Sequence, residues 1–391
     1  MKMLIRNAGM VQDGRIAKCD LLIRDGQIED ILPAGSGKAA DEEIDAEGLY
    51  LSHGLIDIHV HGGGGHDFMD GTEEAWDGVR MLHMRHGTTG MIATTMAATM
   101  EEMEGAARMF NRCRDRTGGA RLLGLHMEGP YLSPAQSGAQ DPAYIRKPAA
   151  EEYRRLIEMC PGIARWTVAP ELENADEMGD YLKSHGILPS IGHSNAVYAD
   201  VVNAMAHGYR HITHLYSAMS TVTREGGFRR GGIIESAYVL PELTSEIIAD
   251  GCHLPPELLQ LAYRGIGPDR LALVTDAMRA AGQTGGESIL GSLSKGQKVI
   301  IEDGVAKMPD RKAFAGSICT ADRLVKNMVR LAGASLPDAV KMMTETPAEI
   351  MGMSERTGRI ESGRSADVIL FDEEIHIRLV VINGVIQYSE M

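Results

Sequence analysis

The chain has 391 residues, 44% hydrophobic and 24% charged, ordinary proportions for a soluble globular protein built as one large domain plus an accessory one. Its formal net charge of -15 argues against nucleic acid or an anionic membrane as partner, since both reward a basic face, and leaves an anionic ligand in need of a local basic pocket. Five scattered cysteines (Cys19, Cys113, Cys160, Cys252, Cys319), none in C-x-x-C spacing, argue for reduced thiols and leave any metal to nitrogen and oxygen ligands.

The N-terminus turns polar too soon for a signal core, and no window nears the roughly 18 to 20 apolar residues of a membrane span, which predicts a cytoplasmic protein. Residues 1–52 read as short strands, Met3 to Ile5, Asp20 to Arg24 and Gln27 to Leu32, the last two joined by an Asp25-Gly26 turn that favours a hairpin. The chain closes on a matching pattern over 356–391: Asp367 to Phe371, Leu379 to Ile382, the turn Asn383-Gly384, and Val385 to Tyr388. Neither end carries enough apolar residues to fold alone, so both ends are predicted to pair into one small β-sandwich domain.

Over 53–355, eight short apolar runs follow one another: Gly54 to His61, Thr89 to Thr95, Arg121 to Glu128, Arg165 to Ala169, Ile187 to His193, His211 to His214, Ser245 to Asp250 and Leu271 to Asp276. Helical periodicity separates most of them, at Glu73 to His86, Met100 to Arg116, Ala149 to Met159, Asn195 to His207 and Pro255 to Arg264. The alternation predicts an α/β fold, a (β/α)₈ TIM-like barrel. Met278 to Ser317, with a hairpin around Asp303-Gly304, reads as an insertion near the barrel mouth. Helices at Ala321 to Leu331 and Leu336 to Thr344 then lead back to the β domain.

Barrel enzymes carry their chemistry at the C-terminal strand ends. In the first run Leu55, Asp57, His59 and His61 share one face, and buried polar groups on a strand need partners. Six of the eight runs end in His, Glu or Asp, including Glu128, His193, His214, the Asp250 to His253 stretch and Asp276. Each taken singly suits a capped turn or a satisfied core histidine; together they suit Zn²⁺, Fe²⁺ or a similar divalent ion with an open position for water. Such an ion lowers the pKa of water towards ~7, and Asp276 can accept the proton and return it to a leaving amine. The pattern describes metal-assisted hydrolysis of an amide or ester. Gly62 to Gly65 lacks the Gly-Lys-Ser/Thr of a phosphate loop and suits close backbone approach, while Cys252 reads as a packed thiol.

The set Asp57-x-His59-x-His61, His126-Met127-Glu128-Gly129-Pro130, Gly192-His193, Thr213-His214-Leu215-Tyr216-x-Ala218-Met219, Asp250-Gly251-x-His253, Val274-Thr275-Asp276-Ala277 and Ala315-Gly316-Ser317 resembles the N-acetylglucosamine-6-phosphate deacetylase family of the amidohydrolase superfamily. The resemblance implies that Glu128, His193 and His214 hold a principal metal, and that His59 and His61, with Glu128 bridging, hold a second. It implies Asp276 as general base and acid, His253 as a contact near the acetamide, and Gln140, Ser217 and Ala218 at sugar-phosphate contacts. Two positions depart from the family's common pattern: Ser217 replaces an Asn and Gln140 a His. Arg224 best matches the family's phosphate arginine, which reaches a neighbouring subunit and so implies a homodimer; Arg229 or Arg230 can serve instead. The expected ligand is a small amino sugar phosphate, with the galactosamine epimer, another amidohydrolase reaction and a non-catalytic assembly role as alternatives.

Overall fold

A computed structural model describes residues 1–391. Eight parallel strands form the central sheet: β1 (Leu55–Val60), β2 (Thr88–Thr94), β3 (Arg121–Glu128), β4 (Ile163–Val168), β5 (Leu188–Ile191), β6 (His211–Ile212), β7 (Thr244–Ile247) and β8 (Leu271–Leu273). β1 and β2 are buried at every residue, as expected of strands covered on both faces. The sheet closes beyond β8, where Val60 bridges Ala277, the His61 and Gly62 amides donate to the Ala277 carbonyl at 2.9 and 2.8 Å, and the Asp276 amide donates to the His59 carbonyl at 2.9 Å. The fold is therefore the expected TIM-like barrel, and its closing seam runs through candidate site residues.

Helices cover the outside. Glu73–Arg85 buries one stripe at helical spacing, the apolar Ala75, Trp76, Val79 and Met84 with Arg80 and His83 between them, and Thr72 caps it by accepting from the Ala75 amide at 3.2 Å. Met100–Cys113 begins with a reciprocal cap between Thr99 and Glu102. Three α-helices escaped the sequence reading, Ala175–Ser184, Ile233–Val239 and the six-residue Glu345–Ile350. The second has only seven residues, and the first carries Gly179 mid-helix, which reads as a breaker. Gly179 is there for space: a Cβ would lie 2.5 Å from the Tyr209 ring and 2.6 Å from the His207 carbonyl oxygen. No helix is long and apolar enough to cross a membrane.

Both chain ends build the second sheet. Lys2–Gln12, Arg15–Arg24, Gln27–Pro33, Glu42–Asp45 and Tyr50–His53 join Val368–Phe371, Ile377–Ile382 and Val385–Ser389, with Tyr50–His53 antiparallel to Val368–Phe371. A separate apolar cluster, including Ile5, Leu21, Leu51, Leu370 and Leu379, holds the two ends together. The chain passes from this sheet into β1 through Gly54 alone. The insertion after β8 forms a three-stranded sheet, Gly286–Leu290, Gln297–Glu302 and Val305–Lys307, and includes the expected hairpin. Thr223–Glu225 and Phe228–Arg230 pair as an exposed hairpin too short and too solvated to leave a periodic signal.

The barrel interior holds a charged pair. Arg165 on β4 donates to Glu246 on β7 at 2.5 Å, and both side chains are fully buried. Arg165 also donates to Thr213 at 2.7 Å and Ser190 at 3.0 Å, so the guanidinium is satisfied across four strands or strand ends. Burial alone would raise the Glu246 carboxyl, but Arg165 and the neighbouring imidazoles hold it well below the usual range.

Two stability predictions follow from these contacts. Alanine for glycine in a helix interior ordinarily gains about 1 kcal/mol, yet Gly179→Ala is expected to lose about 1 to 3 kcal/mol through overpacking; a raised urea midpoint contradicts this. Arg165→Met strands a buried charge and is expected to cost about 3 to 5 kcal/mol, partly recovered by adding Glu246→Gln. A loss below about 1 kcal/mol, the scale of an exposed pair, contradicts it.

Candidate functional site

The side chains expected from the strand ends meet around Glu128, the last residue of β3. Its Oε1 lies 3.0 Å from His214 Nε2, 3.4 Å from His193 Nε2 and 3.4 Å from His59 Nε2, while Oε2 lies 3.3 Å from His61 Nε2. Two triads result, His59 with His61 and Glu128, and Glu128 with His193 and His214, each with its donor atoms within 4.8 Å of one another. All five residues are buried. Asp276 Oδ1 stands 3.2 Å from His61 Nε2 and 3.5 Å from His59 Nε2.

Local backbone directs these groups inward. His193, His214 and Asp276 lie two or three residues beyond the ends of short strands and adopt φ of 47°, 28° and 44°, the left-handed region that non-glycine residues rarely enter. Strained backbone of this kind turns the chain away from the ladder and is concentrated at functional sites. Gly62 allows the adjoining turn, since a Cβ there would sit 2.4 Å from the His66 carbonyl oxygen. Close backbone approach is thus the use of this glycine, as the sequence suggests.

Orientation comes from a surrounding layer. His59 donates through Nδ1 to Glu246 at 2.7 Å, and His193 through Nδ1 to the Gln136 carbonyl at 2.9 Å, which turns both Nε2 atoms toward Glu128. His61 and His214 leave Nδ1 without a partner. Gln140 is buried; its Nε2 donates to Glu128 Oε2 at 2.7 Å while its Oε1 accepts from the Ala97 amide at 2.8 Å. The two bonds fix the amide and hold the carboxylate. His126 packs its ring edge-on to His59 at 4.8 Å and bonds Thr167 at 2.7 Å, a structural part. Asp57 ties β1 to Thr275 at 2.5 Å instead of joining the cluster, and burial pushes its carboxyl up to about 7.

The cluster is short of positive charge. Burial would raise Glu128 and Asp276, but the surrounding imidazoles lower both, Glu128 well below the usual range. Burial would lower His59 and His61, but the carboxylates raise His59 well above its ordinary value and His61 to about 9. Imidazole nitrogens 3.1 and 3.2 Å apart, packed on two carboxylates with no thiolate, are the donor chemistry of a divalent cation. These buried groups suit a divalent metal site.

A cavity of about 390 Å³ opens over the cluster and is lined by His61, Glu128, His193, His214 and Asp276. Gln140, Ser217, Ala218 and His253 also line it. Asp250 positions His253, accepting from its Nδ1 at 2.8 Å and from the Cys252 and His253 amides at 2.8 Å. Burial raises the Cys252 thiol, whose Sγ points to the Asp303 carbonyl at 3.6 Å, in keeping with a packed thiol. Arg224 and Arg229 face each other across the exposed hairpin and do not line the cavity. Sequence reading overlooked Glu246 and Arg165, although a charge inside each of two apolar runs was a usable signal.

The amidohydrolase family model matches residues 50–387. The chain is 31% identical over 387 residues to N-acetylglucosamine-6-phosphate deacetylase of Lysinibacillus sphaericus, covering 98% of this chain and 97% of that protein. It is 32% identical to N-acetylgalactosamine-6-phosphate deacetylase of Escherichia coli O157:H7, with 96% of each covered. The solved structure of a variant of the Mycobacterium smegmatis N-acetyl-D-glucosamine-6-phosphate deacetylase, in complex with N-acetyl-D-glucosamine-6-phosphate, superposes with a TM-score of 0.90 at 26% identity, covering 99% of this chain and 100% of that one. With nearly its whole length matched, the chain belongs to the amidohydrolase family.

Proposed function

We propose that this amidohydrolase removes the N-acetyl group of N-acetylglucosamine 6-phosphate, giving glucosamine 6-phosphate and acetate. The observation that carries the reading is the pairing of Asp276 with the Glu128-centred cluster on one cavity wall, in a chain whose curated relatives bear that name. Glu128, His193 and His214 are the proposed ligands of one divalent ion, Zn²⁺ or Fe²⁺, and His59 and His61 with Glu128 of a second. When bound, such an ion supplies Lewis acidity, activating water at neutral pH and polarising the acetyl carbonyl.

Asp276 accepts the proton of the attacking water and delivers it to the amine as the C–N bond breaks. Its lowered pKa keeps it ionised, the form a general base requires. His253, held by Asp250, contacts the acetamide. Gln140, Ser217 and Ala218 lie where the sugar is expected, with Gln140 also steadying Glu128. Arg224 or Arg229, on its exposed hairpin, would serve the phosphate of a neighbouring subunit in a cytoplasmic homodimer.

A second reading takes N-acetylgalactosamine 6-phosphate as substrate. The 32% identical relative of that name favours it.

Acetate release from the 6-phosphates of both sugars, against the unphosphorylated sugars, separates the readings; no release from any of the four contradicts both. Asp276→Asn is expected to lower kcat by about 10² to 10⁴ while metal content, measured by mass spectrometry, stays at the wild-type level. Unchanged turnover contradicts the proton-transfer role, and loss of metal together with activity reassigns Asp276 to metal binding.

A further inference from the structure

A phosphate-bearing substrate calls for a local cation in a chain of formal net charge -15, and Glu128 and Asp276 on the cavity wall belong to the cluster proposed for the divalent ion rather than to a phosphate site. Among the lining residues there is one lysine or arginine, Lys312, in the insertion that follows β8. Its side chain is exposed, and it forms no ion pair, whereas its neighbours Lys307 and Arg311 both pair with Glu302.

The segment bearing Lys312 is anchored on both sides. The Met308 amide donates to the Ala313 carbonyl at 2.9 Å, the Ala315 amide donates to the Ala306 carbonyl at 2.9 Å, and Lys307 bridges Phe314. Phe314 sets its ring edge against His253, with centroids 4.9 Å apart. Lys312 therefore stands on a turn fixed against the same wall as His253, with its ammonium free for an anion. An ammonium serves as a point charge for phosphate, and an unpaired one has no internal ion pair to break before binding.

We propose that Lys312 is a specificity-determining residue that binds the phosphate of the sugar substrate within the same chain, so that recognition does not depend on the hairpin arginines alone. The proposal rests on the deacetylase reading for the identity of the sugar. It also explains a use for the insertion, which places a cation over the cavity without adding one to the buried cluster. A lysine here is chemically distinct from the metal-facing groups, and its removal leaves them untouched.

Calorimetric titration of glucosamine 6-phosphate and of glucosamine into the full-length, metal-loaded protein tests it, alongside Lys312→Met and Lys312→Arg. The expected result is that wild type prefers the phosphorylated sugar, that Lys312→Met loses about tenfold or more of that affinity, and that Lys312→Arg retains most of it. KM for the phosphorylated N-acetyl sugars should rise in parallel. Equal affinities in wild type and Lys312→Met, or a loss shared by glucosamine, overturn the proposal. Because binding is read without turnover, a wild type that binds through Lys312 but releases no acetate supports it and overturns the deacetylase reading alone.

Discussion

The carboxylate of Glu128 sits buried among four imidazoles at 3.0 to 3.4 Å, and the rest of the barrel mouth depends on satisfying it. A buried charge survives only with partners that are themselves held in place, since removing either side of such a contact costs several kcal/mol. Glu128 is common to both triads, which makes it the point through which the β1 histidines and the β5 and β6 histidines are coupled. The excess of negative charge raises His59 and His61, so the cluster retains positive charge as protons where no cation supplies it.

A surrounding layer gives the cluster its precision. Glu246 orients His59, and Arg165 keeps Glu246 ionised, so the interior pair that stabilises the barrel also sets one imidazole of the site. Gln140 does the corresponding work on the other side by bonding Glu128 while bound to the Ala97 amide. The barrel's closing seam reinforces the same region, because the Asp276 amide donates to the His59 carbonyl. Fold stability and site geometry thus share bonds, and hydrogen bonds linked in one network reinforce one another.

Much of this was legible in the sequence because it obeys simple periodicities. The eight apolar runs coincide with the barrel strands, and the strand ends supplied Glu128, His193, His214 and Asp276 without reference to any contact. The hairpin steps at Asp25-Gly26 and Asn383-Gly384 marked the terminal sheet. What escaped was decided by neighbours distant in sequence. The helix at Ala175–Ser184 contains a glycine whose reason is Tyr209, and the orienting bonds of Glu246 and Gln140 join residues from separate strands and loops. Asp57 shares a strand face with His59 and His61, yet its bond to Thr275 takes it out of the cluster, a distinction that alternation along one strand cannot make.

Anomalous diffraction from crystals of protein purified without chelator is the most direct measurement of the central reading, that the Glu128 cluster is built for a divalent cation. The predicted result is a peak bound by Glu128, His193 and His214, with any second peak bound by His59, His61 and Glu128. A map with no metal at Glu128 after divalent ions have been supplied, or with the metal bound elsewhere in the barrel, would contradict it.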